Sequence, residues 1–257
     1  MFENLKTSDD VAEATDKLSG GSFVVDTDVH EMDIDMAYID YSDGGAMSLV
    51  LTLTAPGKTL RQTLWMTSGD AKGNKNFYLD RNNNKEYLPG FTLADDLSLM
   101  TCNIPMAQQV AEEKTINVFD FVAKKELPTK KMVVTAMLKK KIRVAVFKQI
   151  VDKSVKNENF NADLPVHPDT NPKYVTTGET REENEIDKFF SHAKSLTVVE
   201  AKAGVEEGVF IHQWTEKNAG VVRNRAKGAT ATAGATGAVN ATAAAPAAEE
   251  AKTNLFG

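Results

Sequence analysis

The chain has 257 residues, a formal net charge of −6, 42% hydrophobic and 26% charged residues, a size and balance that suit one large or two small soluble domains. A single cysteine, Cys102, rules out an internal disulfide and suits a reducing compartment. No run approaches the roughly 18 apolar residues of a membrane span, and the opening MFENLKTSDDVAEATDKL has neither the basic nor the apolar region of a signal peptide, so a cytoplasmic protein is expected.

SDDVAEATDKL (Ser8–Leu18) predicts a short helix capped by Ser8 or Asp9 and stopped at Gly20-Gly21. Strands follow. In AMSLVLTLTAPG, Met47, Leu49, Leu51 and Leu53 point one way, and Ser48, Thr52 and Thr54 point the other. Pro56-Gly57 predicts a turn, and TLRQTLWMT returns with Leu60, Leu64 and Met66 on the core face and Arg61, Thr63 and Trp65 on the opposite one. SGDAKGNKN reads as a mobile loop, and FYLDRNNNKEYLPG as a second hairpin with an Asn-rich tip. FTLADDLSLMTCN predicts a short helix and TINVFDFVAKKELPT a strand. KKMVVTAMLKKKIRVAVFKQI (Lys130–Ile150) then reads as strand, lysine tip and returning strand. In GETREENEIDKFFSHA, Thr180 and Glu183 have capping-box spacing and Ile186, Phe189, Phe190 and Ala193 make a stripe, so a helix is predicted. SLTVVEA and GVFIHQWTE read as strands.

From Ala226 to Gly257 there are 13 alanines among Thr and Gly, and no aromatic before Phe256. Too little can be buried there to offset an ordering entropy of about 1–2 kcal/mol per residue, so a disordered tail is expected. The expected organisation is an N-terminal segment (1–20), a β-rich domain (21–225) and this tail (226–257). Many short strands with few helices suit a small barrel or sandwich.

The net charge hides a sorting. Met1–Gly45 holds 12 acidic and 2 basic residues, a net of −10, whereas Phe121–Lys148 holds 9 basic residues against Glu126, a net of +8. A local field acts where its charges sit, so an acidic chain can still hold a polyanion.

Motifs for catalysis are missing: no CxxC, HExxH, GxGxxG or GxSxG is present, and GDAKGNK lacks the spacing and the Ser/Thr of a phosphate loop. His30, His167, His192 and His212 have no ligand-spaced partners, and DTDVHEMDID lacks the central glycine and final Glu of an EF-hand loop. No metal, cofactor or enzymatic site is expected.

Cations and aromatics instead recur together. Arg143 and Phe147 share a strand face, as do Arg61 and Trp65; Lys72, Lys75, Phe77, Tyr78, Arg81, Lys85 and Tyr87 lie between, and Lys139 and Lys141 belong to the lysine tip. Rings offer stacking platforms to unpaired bases and cations track phosphates, the chemistry of single-strand binding. Trp65 and Phe147 are the expected stacking rings, with Tyr78 and Tyr87 beside them, and Arg61, Lys72, Lys75, Arg81, Lys139, Lys141 and Arg143 are the expected phosphate contacts.

The segments AYIDYSDGGAMSLVLTL, LRQTLWMTSGDAKGNKNFY, KEYLPGF, KTINVFDF, KKELPT, IRVAVFKQIVD and REENEIDKFF, in that order, resemble the replication single-stranded DNA-binding proteins of tailed bacteriophages, over roughly Met36 to Trp214. The resemblance implies an OB-fold (a five-stranded Greek-key barrel, here with extra hairpins and one or two helices) followed by a disordered tail. It also implies sequence-tolerant binding of single-stranded DNA in phage replication, recombination and repair, in the host cytoplasm. Such proteins recruit the replication machinery, such as the phage polymerase, and here Leu255 and Phe256 are the apolar anchors a partner could grip. The tail departs from the strongly acidic family form, since Glu249 and Glu250 are its only acids. Two other classes stay open on the residues alone: a phage structural or scaffold-type protein, and a metal-dependent nucleic-acid enzyme.

Overall fold

A computed structural model describes residues 24–120, 123–164, 166–167 and 169–227. The helix expected over Ser8–Leu18 and the tail beyond Lys227 lie outside the described residues.

The alternation read in the first hairpin sets the core. Strands β1 (Asp28–Tyr41), β2 (Met47–Ala55) and β3 (Lys58–Trp65) form an antiparallel meander in which Leu49 faces Leu64 and Leu53 faces Leu60. Leu49, Leu51 and Leu53 are fully buried, and Leu60, Leu64 and Met66 nearly so. A two-stranded ribbon, β4 (Phe77–Leu79) with β5 (Lys85–Tyr87), precedes helix α1 (Pro89–Cys102). Pro89 occupies the first turn of α1, where its missing N–H costs nothing. Gly90 is required there, because a Cβ would stand 2.2 Å from the carbonyl oxygen of Trp65. The start of α1 is thereby seated on the end of β3.

β6 (Glu112–Asp120) and β7 (Lys125–Val133) form a hairpin whose root joins the edge of β1 at Tyr38 and Ile39. β8 (Lys141–Lys156) takes the earlier half of the same edge, and β9 (Tyr174–Ser191) pairs with β8. Helices α2 (Val198–Lys202) and α3 (Phe210–Asn218) follow, and β10 (Val222–Asn224) adds in parallel to β8. The long sheet therefore runs β9-β8-β1-β2-β3, and α1 packs against both end strands, β3 and β9. The molecule is mainly β with largely antiparallel pairing, as expected.

Two apolar layers lie on opposite faces of β8. One side chain set, Ile142, Val144 and Val146, faces the main core with Met32, Ile34, Leu49, Leu97 and Phe189. The other, Ala145 and Phe147, packs with Phe190 under Ile211 and Trp214 of α3.

Four expectations are overturned. GETREENEIDKFFSHA is not a helix but most of β9, and its helical spacing comes from a bulge: Val146 opposes Ile186 while Ala145 opposes Lys188, leaving Asp187 as the extra residue. The bulge brings Ile186 and Phe189 to the same core face although three positions separate them. SLTVVEA and GVFIHQWTE contribute helices α2 and α3, not strands, and the true capping box joins Thr197 and Glu200. No hairpin turns at the lysines, because β7 pairs with β6 and β1 while β8 pairs with β1 and β9. TINVFDFVAKKELPT is likewise two strands, not one, with Lys124 at φ +51° where the chain reverses.

Candidate nucleic-acid interface

The predicted contacts fall into three groups. The first stands on β8 and just before it. Antiparallel pairing sets Asp33 opposite Lys141 and Glu31 opposite Arg143. Lys139 reaches Asp35 at 2.5 Å, Lys141 reaches Glu31 at 3.5 Å, and Arg143 lies 3.9 Å from Glu31 and donates to Ser195 Oγ. Glu31 is held below the usual carboxylate range, chiefly by its hydrogen bond from His192. Four carboxylates of β1 (Asp28, Glu31, Asp33 and Asp35) thus stand beside three cations, and the sorting of charge along the sequence is cancelled across the β1–β8 ladder. Phe147 does share a strand face with Arg143, but α3 roofs that face. Phe147 is 1% exposed, its ring centre 5.1 Å from that of Trp214, with the Arg223 guanidinium stacked on it. It is a core residue and presents no stacking face to a ligand.

The second group is on the outer face of the β1–β3 meander. Trp65 is 46% exposed there, on the side opposite Leu64 and Met66. Arg61 lies on the same face and meets Glu126 of β7 at 3.7 Å. This ion pair fixes the path of the β6–β7 hairpin. Arg61 is level with Thr52 and hence with Met36, whereas straight continuation of β7 along β1 would carry Glu126 level with residue 45. That is nine residues, about 30 Å, too far. The hairpin therefore bends back toward the outer face, bringing Glu126 to Arg61. Nearer its root Lys131 pairs with Asp40 at 2.6 Å, and its ammonium sits 5.9 Å from the Tyr38 ring centre. Burial first, then the Asp40 charge, raises the Tyr38 phenol above its ordinary value.

The third group makes a rim at the end of the meander. The Gly69–Lys75 loop, expected to be mobile, is tied down: Asp70 N–H donates to Gly44 C=O at 2.9 Å, Ser68 N–H to Lys75 C=O at 2.9 Å, and Asn74 N–H to Gly69 C=O at 2.7 Å. Its fit to the β1–β2 turn needs glycine at position 45 (φ +73°), where a Cβ would fall 2.1 Å from the Asp70 carboxylate. The backbone that carries Lys72 and Lys75 is thus anchored. On the β4–β5 ribbon, Phe77 opposes Tyr87 and Leu79 opposes Lys85. Lys75 and Lys85 approach the Phe77 ring centre at 5.7 and 4.9 Å, and Tyr87, 58% exposed, packs 5.0 Å from Phe91. Tyr78 is one residue out of phase and faces the other side of the ribbon, where its hydroxyl donates to Glu86 at 2.6 Å. That bond raises its phenol pKa. Arg81 is at the exposed tip, where Asp80 is occupied with the N–H groups of Asn82 and Asn84. Lys72, Lys75, Arg81 and Lys85 form no ion pair among the described residues.

An apolar cleft of about 700 Å³ opens within this rim, between Tyr41, Met47, Met66, Phe77, Phe91 and Met132. Beside it the β1–β2 turn meets the β8–β9 connection, where Asp43 and Lys173 pair at 2.7 Å. The bond from Lys173 lowers the Asp43 pKa, and the same bond raises that of Lys173.

Sequence reasoning missed Tyr41, Phe91 and Lys131 as members of the surface, and placed Lys85 in the pattern of cations and aromatics without counting it as a contact. Tyr41 could have been found by running the alternation of Ile39 one step on toward the turn. Lys131 could not, since its place depends on the bend of a hairpin read as something else. Leu255 and Phe256 lie outside the described residues. No group of three or more His, Cys, Asp or Glu among the described residues is placed to hold a metal ion, and no helix there is long and apolar enough to cross a membrane. In comparisons with protein-family models, curated proteins and solved structures, nothing matches the chain.

Proposed function

We propose that the protein binds single-stranded DNA with little regard to sequence and without catalysis, on an OB-type barrel. We place this activity in phage replication, recombination and repair in the host cytoplasm, as the sequence resemblance implies. The observation that carries the reading is the rim: four cations without carboxylate partners, Lys72, Lys75, Arg81 and Lys85, stand beside Phe77, Tyr87 and Tyr41 at one end of the sheet. Unneutralised cations attract phosphates, and exposed rings reward bases that are not already stacked.

The barrel reading draws support from topology. A five-strand path β3-β2-β1-β8-β9, with the α1 helix after the third strand and packed between the two end strands, has the connectivity of an OB-fold carrying the β6–β7 hairpin as an insertion. OB-folds take oligonucleotides on the face of strands 2 and 3 and the loops 1–2 and 4–5. Here those places are the Trp65 and Arg61 face, the turn Ser42–Ala46, and the connection that reaches Asp43 through Lys173.

The test is a titration of a labelled dT oligonucleotide and of a duplex of the same length, with a gel run in Mg²⁺. The expected result is saturable dT binding, much weaker duplex binding and intact DNA. Equal affinity for duplex would contradict the proposal, and so would loss of the strand.

A further inference from the structure

The apolar cleft inside the rim is not explained by stacking on an outer sheet face. It lies on the core side of the meander, between Tyr41 of β1, Met66 just after β3, Phe77 of the ribbon, Phe91 of α1 and Met132 of β7. At about 700 Å³ it falls in the range of small-molecule sites, about 300–1,000 Å³. Four methionines, Met47, Met66, Met106 and Met132, stand in its wall, and flexible thioethers adapt to flat rings of differing outline. Its polar groups are few. Lys75 stands at the lining with its ammonium near Phe77, joined there by Lys85. Asn76 also lines the cleft and is half-buried, and its carboxamide has no hydrogen-bond partner among the described residues.

We infer that this cleft receives one unstacked base of the bound strand, with Asn76 meeting its polar edge and Lys75 and Lys85 the adjoining phosphates. The inference rests on the single-strand reading above and deepens it, because it names the feature that separates single strands from duplex. A flat, mostly apolar ligand with a polar edge and a flanking negative charge matches this set of groups. An uncharged hydrophobe would leave the two ammoniums and the carboxamide without use. A base in a duplex would first have to be extruded, at a cost of a few kcal/mol, whereas a single strand has it free.

The experiment uses the full chain with its methionine methyls labelled for NMR, titrated with a short deoxyadenosine oligonucleotide. Insertion of a base predicts ring-current shifts of the Met47, Met66, Met106 and Met132 methyls, with Met32 and Met137, buried outside the cleft, little changed. In parallel, Ala107→Phe, which projects into the cleft from an exposed position, should weaken binding at least fivefold without altering its salt dependence. Asn76→Leu should weaken it severalfold and serves if Ala107→Phe does not fold. An oligonucleotide that binds while the four methyls stay still, with either folded variant within twofold of wild type, would overturn the inference and leave the single-strand reading standing. A wild-type protein that binds no oligonucleotide would overturn both.

Discussion

The contrast between Trp65 and Phe147 shows how one residue's role depends on what covers it. Both sit beside an arginine on a strand, so their sequence surroundings look alike. Trp65 is 46% exposed and Phe147 1%. Trp65→Ala should therefore cost about 1–3 kcal/mol of dT binding while leaving the melting temperature nearly unchanged. Phe147→Ala should cost about 3–5 kcal/mol of stability, seen as a drop in the denaturation midpoint, through the cavity left under Trp214. Asp96 gives a separate check on the core. Burial, opposed by Lys188, pushes its carboxyl up to about 6 from the ordinary 3.8. The folded protein thus binds this proton more tightly than the unfolded chain, and stability from this group falls as pH rises from about 4 to 6. Asp96→Asn should raise stability at pH 7–8 by on the order of 2–3 kcal/mol, with a much smaller effect at pH 4. Denaturant melts at the two pH values measure it.

Among elements, those with strict alternation were legible and those with an irregularity were not. Leu49, Leu51 and Leu53 against Leu60 and Leu64 specified both strands and register, and the Asn-rich tip gave the ribbon. The segment Gly178–Ala193 misled because the extra residue Asp187 shifts the period of two and imitates a helical stripe. That residue has a use in the fold: it accepts the Trp214 indole N–H at 2.7 Å and so fixes α3. With GVFIHQWTE expected as a strand, no element is left to cover Phe147; as helix α3 it covers that residue through Ile211 and Trp214. The lysine-rich stretch failed for another reason. Which strand lies beside it is a long-range fact, and the neighbour proves to be the acidic β1. Lys139→Ala with Lys141→Ala should accordingly leave the salt dependence of dT binding unchanged within half a phosphate contact, as a salt titration would show.

For the whole molecule, the rim and outer face bring together cations from four stretches: Arg61, the Gly69–Lys75 loop, the β4–β5 ribbon and β7. Their neighbourhood was visible in sequence as a mixture of Lys, Arg and aromatics, but the division into paired and unpaired cations required the fold. The segment beyond Lys227 carries Glu249 and Glu250 against Lys252, and lies outside the described residues. With so little charge to compete for the rim, deletion of Gly228–Gly257 should change dT affinity less than about threefold, under 1 kcal/mol.

The most direct test of the rim is the slope of log K against log salt for dT binding, measured for the wild type and for a variant with Lys72, Lys75, Arg81 and Lys85 all changed to Ala. Each phosphate contact on a single strand contributes about −0.7. With the four unpaired rim cations engaged, the wild-type slope should be about −3, and the variant should lose most of it while melting like the wild type. A variant with the wild-type slope and affinity would place the phosphates elsewhere and contradict the account.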